Sequence, residues 1–434
     1  MKRLSLALFS IGFAHLTLAA NLTEIYQQAQ SNDAVFASAR AAYRAGLEKL
    51  PQGRAGLLPQ ANLNANVLYN DTKSSVFDDQ KHTSKGMGVT AMQPIYRKQN
   101  WEQYQQAKQQ VSIAEAQLAN AEQDLILRTA QAYFEVLQSQ DNIDFVRAQK
   151  AAIGEQLAAA RRNFEVGTAT ITDSNEAQAR SDLASAQEIA ALNALQIKQR
   201  ALQRIIGKLP PALAALGDRL QLAPPNPANM DEWIARAEQG SPALKAQRAG
   251  YEIAQREVAR NRAGHYPTLD AVASYTDNRN QNFGGLLVDS RAAVIGVEFN
   301  LPLYQGGLVG SRVREAVANR DKAREDLEDT RRKVDLDISQ AYLGVTSGQA
   351  QVKALEQALV SSQTSLDSTK LGLEVGVRTT VDVLNAQQQL YSAQRDLAAA
   401  RYSFILSNLR LKAAAGTLNE TDLGEVDKWL VSSN

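Results

Sequence analysis

The chain has 434 residues, 47 of them basic and 46 acidic, with no cysteine and three histidines. So even a charge balance lacks the basic excess of a nucleic-acid binder, and the absence of cysteine excludes disulfide scaffolds, thiolate metal sites, thiol nucleophiles and an N-terminal lipid on cysteine. Beyond residue 20 only His82 and His265 remain, far apart in sequence, so no converging set of nucleophile, base or metal ligands marks an enzyme or a cofactor site.

Lys2 and Arg3, an apolar run and then small residues read as a secretory signal over residues 1–20, too short and too interrupted to span a bilayer. No later run is long and apolar enough for a transmembrane helix, so any membrane insertion must use strands. The rest of the chain is written twice. RAGLLPQANLNANV from Arg54 answers RAGHYPTLDAVASY from Arg262, and Pro59, Pro94, Gly167, Asp173 and Gly207 answer Pro267, Pro302, Gly376, Asp382 and Gly416 at a spacing of about 208 residues. The copies are expected over 21–208 and 231–416, joined by a proline-rich linker over 209–230 and followed by a tail over 417–434. Each copy reads as short helix, helix, two strands, a very long helix and a further helix.

The strands are expected at about 61–70, 86–95, 268–277 and 291–302. In the first, Leu63, Ala65, Val67 and Tyr69 alternate with Asn62, Asn64, Asn66 and Asn70; in the others, Leu269, Ala271, Ala273 and Tyr275, then Ala293, Ile295, Val297 and Phe299, keep the apolar set on odd numbers. Such alternation with a wet opposite face is the weak signature of a membrane barrel. Four strands cannot close one, so the barrel must be shared: two copies would supply eight strands and three would supply twelve, and the sequence does not choose. The polar segments 71–85 and 277–290 are expected as loops outside the cell, and Pro59, Pro94, Pro267 and Pro302 as the junctions of strand and helix.

No proline falls between Pro94 and Pro210, or after Pro302, and the composition there favours helix. Long helices are expected at about 97–166, 170–207, 308–375 and 379–415. The first would run on the order of 100 Å at 1.5 Å per residue, far beyond the roughly dozen residues of an average helix. Val334, Ile338, Ala341, Val345, Gly348, Val352, Leu355 and Leu359 form a heptad seam, matched by Val383, Ala386, Leu390, Ala393, Leu397, Ala400 and Phe404 beyond the turn at Gly376. The fold class is therefore mainly α with a small β part, a tandem-duplicated protomer of strand hairpins and helix hairpins. A soluble periplasmic coiled-coil scaffold or adaptor, its strands forming a small accessory sheet, is the competing reading.

With the duplicated layout, the glycine turns and the run VGVRTTVDVLNAQQQLYSAQRDLAAARYSFILSNLRLKAAAGTLNETDL from Val375 to Leu423, the chain resembles the TolC-like outer-membrane efflux and type I secretion channels. That resemblance implies a homotrimer in outer-membrane lipid, with a twelve-stranded barrel continued by a periplasmic α-helical barrel. It also implies a periplasmic adaptor and an inner-membrane transporter of ABC or RND type as partners. The turns at Gly167 and Gly376 become candidate adaptor contacts. Arg378 would link to Thr172 and Asp173 to hold the tip shut, and Asp382, with Asn385 one turn on, would form the pore constriction. Two departures thin this network: Leu373 stands where the family has tyrosine, and Asn385 where it has a second aspartate.

Overall fold

The computed structural model describes residues 19–73, 75–76, 79–168, 170–217, 220–283 and 286–431, so the signal expected over 1–20 lies outside the described residues up to position 18. Two compact units result, one from the described parts of Met1–Ser38, Ala121–Gly240 and Asp335–Asn434, the other from Ala39–Asn120 and Ser241–Val334.

The second unit holds the four long strands. Three short helices, α1 (Leu22–Asn32), α2 (Ala34–Leu47) and α3 (Lys49–Ala55), precede β1 (Gln60–Thr72) and β2 (Gln80–Tyr96). After the first hairpin of long helices, α4 (Lys98–Glu165) and α5 (Ile171–Ile206), and the two-residue β3 (Ala215–Leu216), α6 (Met230–Gly240) and α7 (Pro242–Arg262) lead to β4 (Thr268–Phe283) and β5 (Leu286–Asn300). The four long strands pair antiparallel in the order β1-β2-β4-β5, so β1 and β5 are open edges. Register joins odd residues to odd: Ala61, Ala91, Ala273 and Ile295 make one row and Leu63, Val89, Tyr275 and Ala293 the next. The even rows are mostly polar in β1, β2 and β4, as in Asn62, Thr90, Ser274 and Asn64, Gly88, Thr276, and end on Val294 and Ala292 in β5. On the odd face Leu63, Val297 and Phe299 are exposed and Ile295 is 88% exposed. An apolar face this bare has no place in water, which tells against the soluble scaffold.

Two expectations about the sheet need correction. The segments 71–85 and 277–290 are mostly strand: the first ladder runs on through Asn70↔His82 and Thr72↔Gln80, and the second through Phe283↔Leu286. Polar side chains and occasional glycines do not end a strand whose backbone groups remain paired. Ser74, Phe77, Asp78, Gly284 and Gly285, within those segments, lie outside the described residues. Pro94 sits inside β2, where the register shifts between Pro94 and Tyr96, a bulge that tolerates its missing N–H. Pro59, Pro267 and Pro302 do flank strands. Below the bulge Arg97 grips Asp270 with two 2.7 Å bonds, and α7 is tied to α4 where buried Glu102 meets Lys98 at 2.6 Å and Arg256 at 3.4 Å.

In the first unit the heptad seam packs between α8 (Leu308–Glu374) and α9 (Thr380–Ala414): Ile338, Val345, Val352, Val383 and Phe404 are fully buried and Leu390 and Leu397 nearly so, while Ala341, Gly348, Leu355 and Leu359 are half-buried. The linker and the tail are more ordered than proline density and position suggested. β3 pairs with β6 (Leu430–Val431), and α10 (Glu420–Asp427) lies just before it. Asp427 accepts from the amides of Leu22 and Thr23, and Tyr133 donates to the carbonyls of Ala20 and Ala214 at 3.1 and 2.8 Å. Two residues of pairing leave too little pattern to be seen in a sequence.

Candidate functional site

The two helical turns of the first unit are built alike, which explains why the chain writes them twice. Gly167 and Gly376 adopt φ of +76° and +81°, the left-handed region that glycine enters without strain. One residue on, Thr168 donates to the carbonyl of Asn163 at 2.8 Å and Val377 to that of Gly372 at 2.9 Å, closing each helix end. The next helix opens with a capping box in both copies. Thr170 and Asp173 exchange bonds at α5, and Thr379 and Asp382 at α9.

This relocates part of the expected site. Asp173 and Asp382 are first of all capping residues, each with one carboxylate oxygen, Oδ2, committed to its own threonine at 2.8–3.0 Å. The spacing T-x-x-D before an apolar run was the signal available for this. The Thr379 amide and hydroxyl, helped by the charge of Arg378, hold the Asp382 carboxyl below the usual carboxylate range. Arg378 itself is exposed, its stem lying over Gly372, and among the described residues no hydrogen bond or ion pair joins it to Thr172 or Asp173. Leu373, in the tyrosine's place, packs against the buried cluster of Leu366, Val383 and Leu390.

The link that does join the two hairpins is made by Arg180, which the sequence reading passed over. Its Nη2 donates to Asn385 Oδ1 at 3.0 Å and its Nη1 to Gln388 Oε1 at 3.3 Å, while Glu176, one turn back, holds Nε at 3.0 Å. The guanidinium is thus aimed from α5 onto α9 by its own neighbour. Asn385 belongs to this link, where it was expected only at the constriction. Beneath lies a cavity of about 40 Å³ among Gln149, Gln187 and Gln387, floored by the small cluster of Ile153, Ala184 and Leu384. Further along, Tyr402 donates to Asp141 at 2.7 Å, a second tie between the repeats, buried enough to push both groups above their usual values. One arginine at helical spacing from a glutamate looks like an ordinary surface pair in sequence; only the packing of α5 on α9 reveals its other two partners.

Comparison with known proteins places these features in context. The family model for outer membrane efflux protein matches residues 25–208 and 233–417, two blocks that leave out the whole of the proline-rich linker expected over 209–230. The chain is 37% identical over 95% of its length to outer membrane protein TolC of Vibrio cholerae, covering 94% of that protein. It is 32% identical, over 100% of its length and 92% of the relative, to the alkaline protease secretion protein AprF of Pseudomonas aeruginosa. Among solved structures, the outer membrane protein VceC of Vibrio cholerae superposes with a TM-score of 0.77 at 19% identity, over 91% of this chain and 96% of that one.

Proposed function

The chain belongs to the outer membrane efflux protein family and is an outer-membrane exit duct of the efflux and type I secretion kind; from that premise we propose that three copies make one duct, shut at its periplasmic tip by links between helical hairpins. The observation that carries the shared barrel is the open sheet, four strands with two unpaired edges and one bare apolar face. Closing that sheet with further copies pairs β1 with β5 of a neighbour and leaves no edge in lipid. The even-numbered face then lines a wet lumen. Mass measurement of the purified protein in detergent should give three chains. A stable monomer with the same strands would sink the proposal.

At the tip, Arg180 with Asn385 and Gln388 ties one hairpin to the other, and in the assembled duct Arg378, which makes no such bond within one chain, is the group to reach Thr172 and Asp173, whose Oδ1 is not used by the capping box. The turns at Gly167 and Gly376 present the surface for a periplasmic adaptor, which hands on cargo from an inner-membrane pump. The relative named for alkaline protease secretion supports protein as one cargo class.

Asp382 supplies the carboxylates of the constriction, and its depressed pKa fixes the sign of a pH test. A carboxyl held below its unfolded value keeps its charge, and its contribution to the cap, above that value and loses both as pH falls through the folded one. Cation preference, read as reversal potential across a salt gradient, should therefore persist as pH falls past about 4 and fade only below the usual range. Fading at or above that range would mean that repulsion among the three carboxylates outweighs the Thr379 cap.

A further inference from the structure

Toward the hairpin end of the sheet the odd-numbered, lipid-facing surface changes character. Val67, Lys85 and Arg279 form one row, and Ala65, Met87, Asp277 and Arg291 the row below it. Asp277 serves both arginines, with Arg279 Nε at 3.5 Å and Arg291 Nε at 3.1 Å, yet the two guanidiniums remain 59% and 68% exposed. Lys85, directly opposite Arg279, has no carboxylate partner among the described residues. Like charges facing each other across a ladder are destabilising. The neighbouring Lys81 shows the ordinary solution, facing Asp71 at 3.4 Å. A depression of about 330 Å³ lies at the Lys85–Arg279 pair, with Val67 and Met87 on its wall. Next to it runs an exposed apolar lane of Leu63, Val89 and Tyr275.

Resting on the reading of this sheet as part of an outer-membrane barrel, we propose that this patch is a binding site for a phosphorylated lipid of the outer leaflet. The phosphate lies over Lys85 and Arg279, relieving their repulsion, and an acyl chain follows Leu63, Val89 and Tyr275. Placement agrees: a cation on the lipid face is costly at mid-membrane and nearly free at the interface, where the headgroup phosphates are. Counting Asp289, which lies across the bulge from Arg279 and accepts from the Asn280 amide, three cations still exceed two carboxylates; that excess calls for an anion, and the lane beside it for an anion carrying hydrocarbon.

The test uses the purified oligomer in non-ionic detergent, read by native mass spectrometry with diphosphoryl lipid A, a dephosphorylated counterpart, or inorganic phosphate added. Diphosphoryl lipid A should be retained, the dephosphorylated lipid and free phosphate should not, and Lys85→Gln and Arg279→Gln should each weaken retention about fivefold and together about twenty- to thirtyfold. Lys85→Arg should keep it. Equal retention by the double variant, or by the dephosphorylated lipid, overturns the site; tight binding of inorganic phosphate alone would make it a free-anion site and overturn the lipid assignment. Failure of the underlying barrel reading shows earlier, as a protein mass of one chain before any lipid is added.

A second observation, at the other end of the chain, bears on processing. The Ala20 amide donates to Ala212 at 2.8 Å, its carbonyl accepts from the Ala214 amide at 3.0 Å and from Tyr133, and a parallel bridge joins it to Leu213. Ala20 is 4% exposed. A cut after Ala20, as the apolar run alone suggests, would delete these partners and leave the buried Tyr133 hydroxyl with one acceptor fewer. We infer that the signal is removed one residue earlier, at the Ala19–Ala20 bond. Water adds across that peptide bond, leaving a carboxylate on Ala19 and an ammonium on Ala20 that keeps its bond to Ala212. The small residues Thr17 and Ala19 then stand on the leaving side in the favoured alternation. N-terminal sequencing of protein purified from the outer membrane should read Ala-Asn-Leu; a start at Asn21, or at any residue before Ala20, overturns the inference.

Discussion

Arginine in place of Ile295 should stop the duct from assembling in the membrane. Ile295 is 88% exposed and sits in a row that is apolar across the whole sheet, with Ala61, Ala91 and Ala273. On a barrel's lipid face near mid-membrane an arginine costs about 2–4 kcal/mol, and a three-copy barrel pays it three times, on the order of 6–12 kcal/mol. That is comparable with the whole stability of an ordinary domain, about 5–15 kcal/mol. Arginine at Asn64 faces the other way, in the row with Gly88 and Thr276, and should leave assembly intact while changing conductance. Val67 shares the face of Ile295 but stands directly opposite Lys85. Arginine there should fall toward the interfacial cost of about 0–1 kcal/mol. The yield of membrane-inserted trimer ranks the three variants, and equal loss at Ile295 and Asn64 would mean that the odd face does not meet lipid.

That ranking shows how far the sequence could be read. Parity is a local property, since successive side chains in a strand alternate faces whatever the rest of the chain does, so the two faces were legible from Leu63, Ile295 and their neighbours. Depth was not, because it depends on which residues pair across strands, and nothing in the text of β1 announces that Val67 meets Lys85. The long helices were legible to within a residue or two, as at α4 and α9, because a proline-free run of good helix formers ended by glycine admits few alternatives. At the tip the same distinction returns. The glycine turns were plain, but Asp173 and Asp382 were read through a resemblance while their T-x-x-D spacing marked capping boxes. Arg180 was invisible because its partners Asn385 and Gln388 lie about 200 residues away.

Removing the tip links should open the duct without unfolding it. The Arg180 fork is partly exposed, so by the standards of surface polar pairs its bonds to Asn385 and Gln388 are worth about 1 kcal/mol or less in each copy. Alone that is small. If the three copies release together, however, the losses add to about 3 kcal/mol, which moves a closed-to-open ratio by about two powers of ten. Arg180→Ala should therefore raise single-channel conductance in planar bilayers or lengthen open times, with the trimer intact, because the seam of Val383, Leu390, Leu397 and Phe404 that holds α9 in its hairpin does not involve Arg180. Asn385→Ala should act in the same direction, and combining it with Arg180→Ala should add little, since both remove one interaction. Arg378→Ala tests the other link separately. If it opens the duct as well, and adds fully to Arg180→Ala, then two independent ties close the tip. If Arg378→Ala alone opens it and Arg180→Ala does nothing, the contact between α5 and α9 is only packing, and Arg180 loses its role. No change from either variant would move the closure to the apolar meeting of Ile153, Ala184 and Leu384, where Leu384→Ala becomes the decisive substitution.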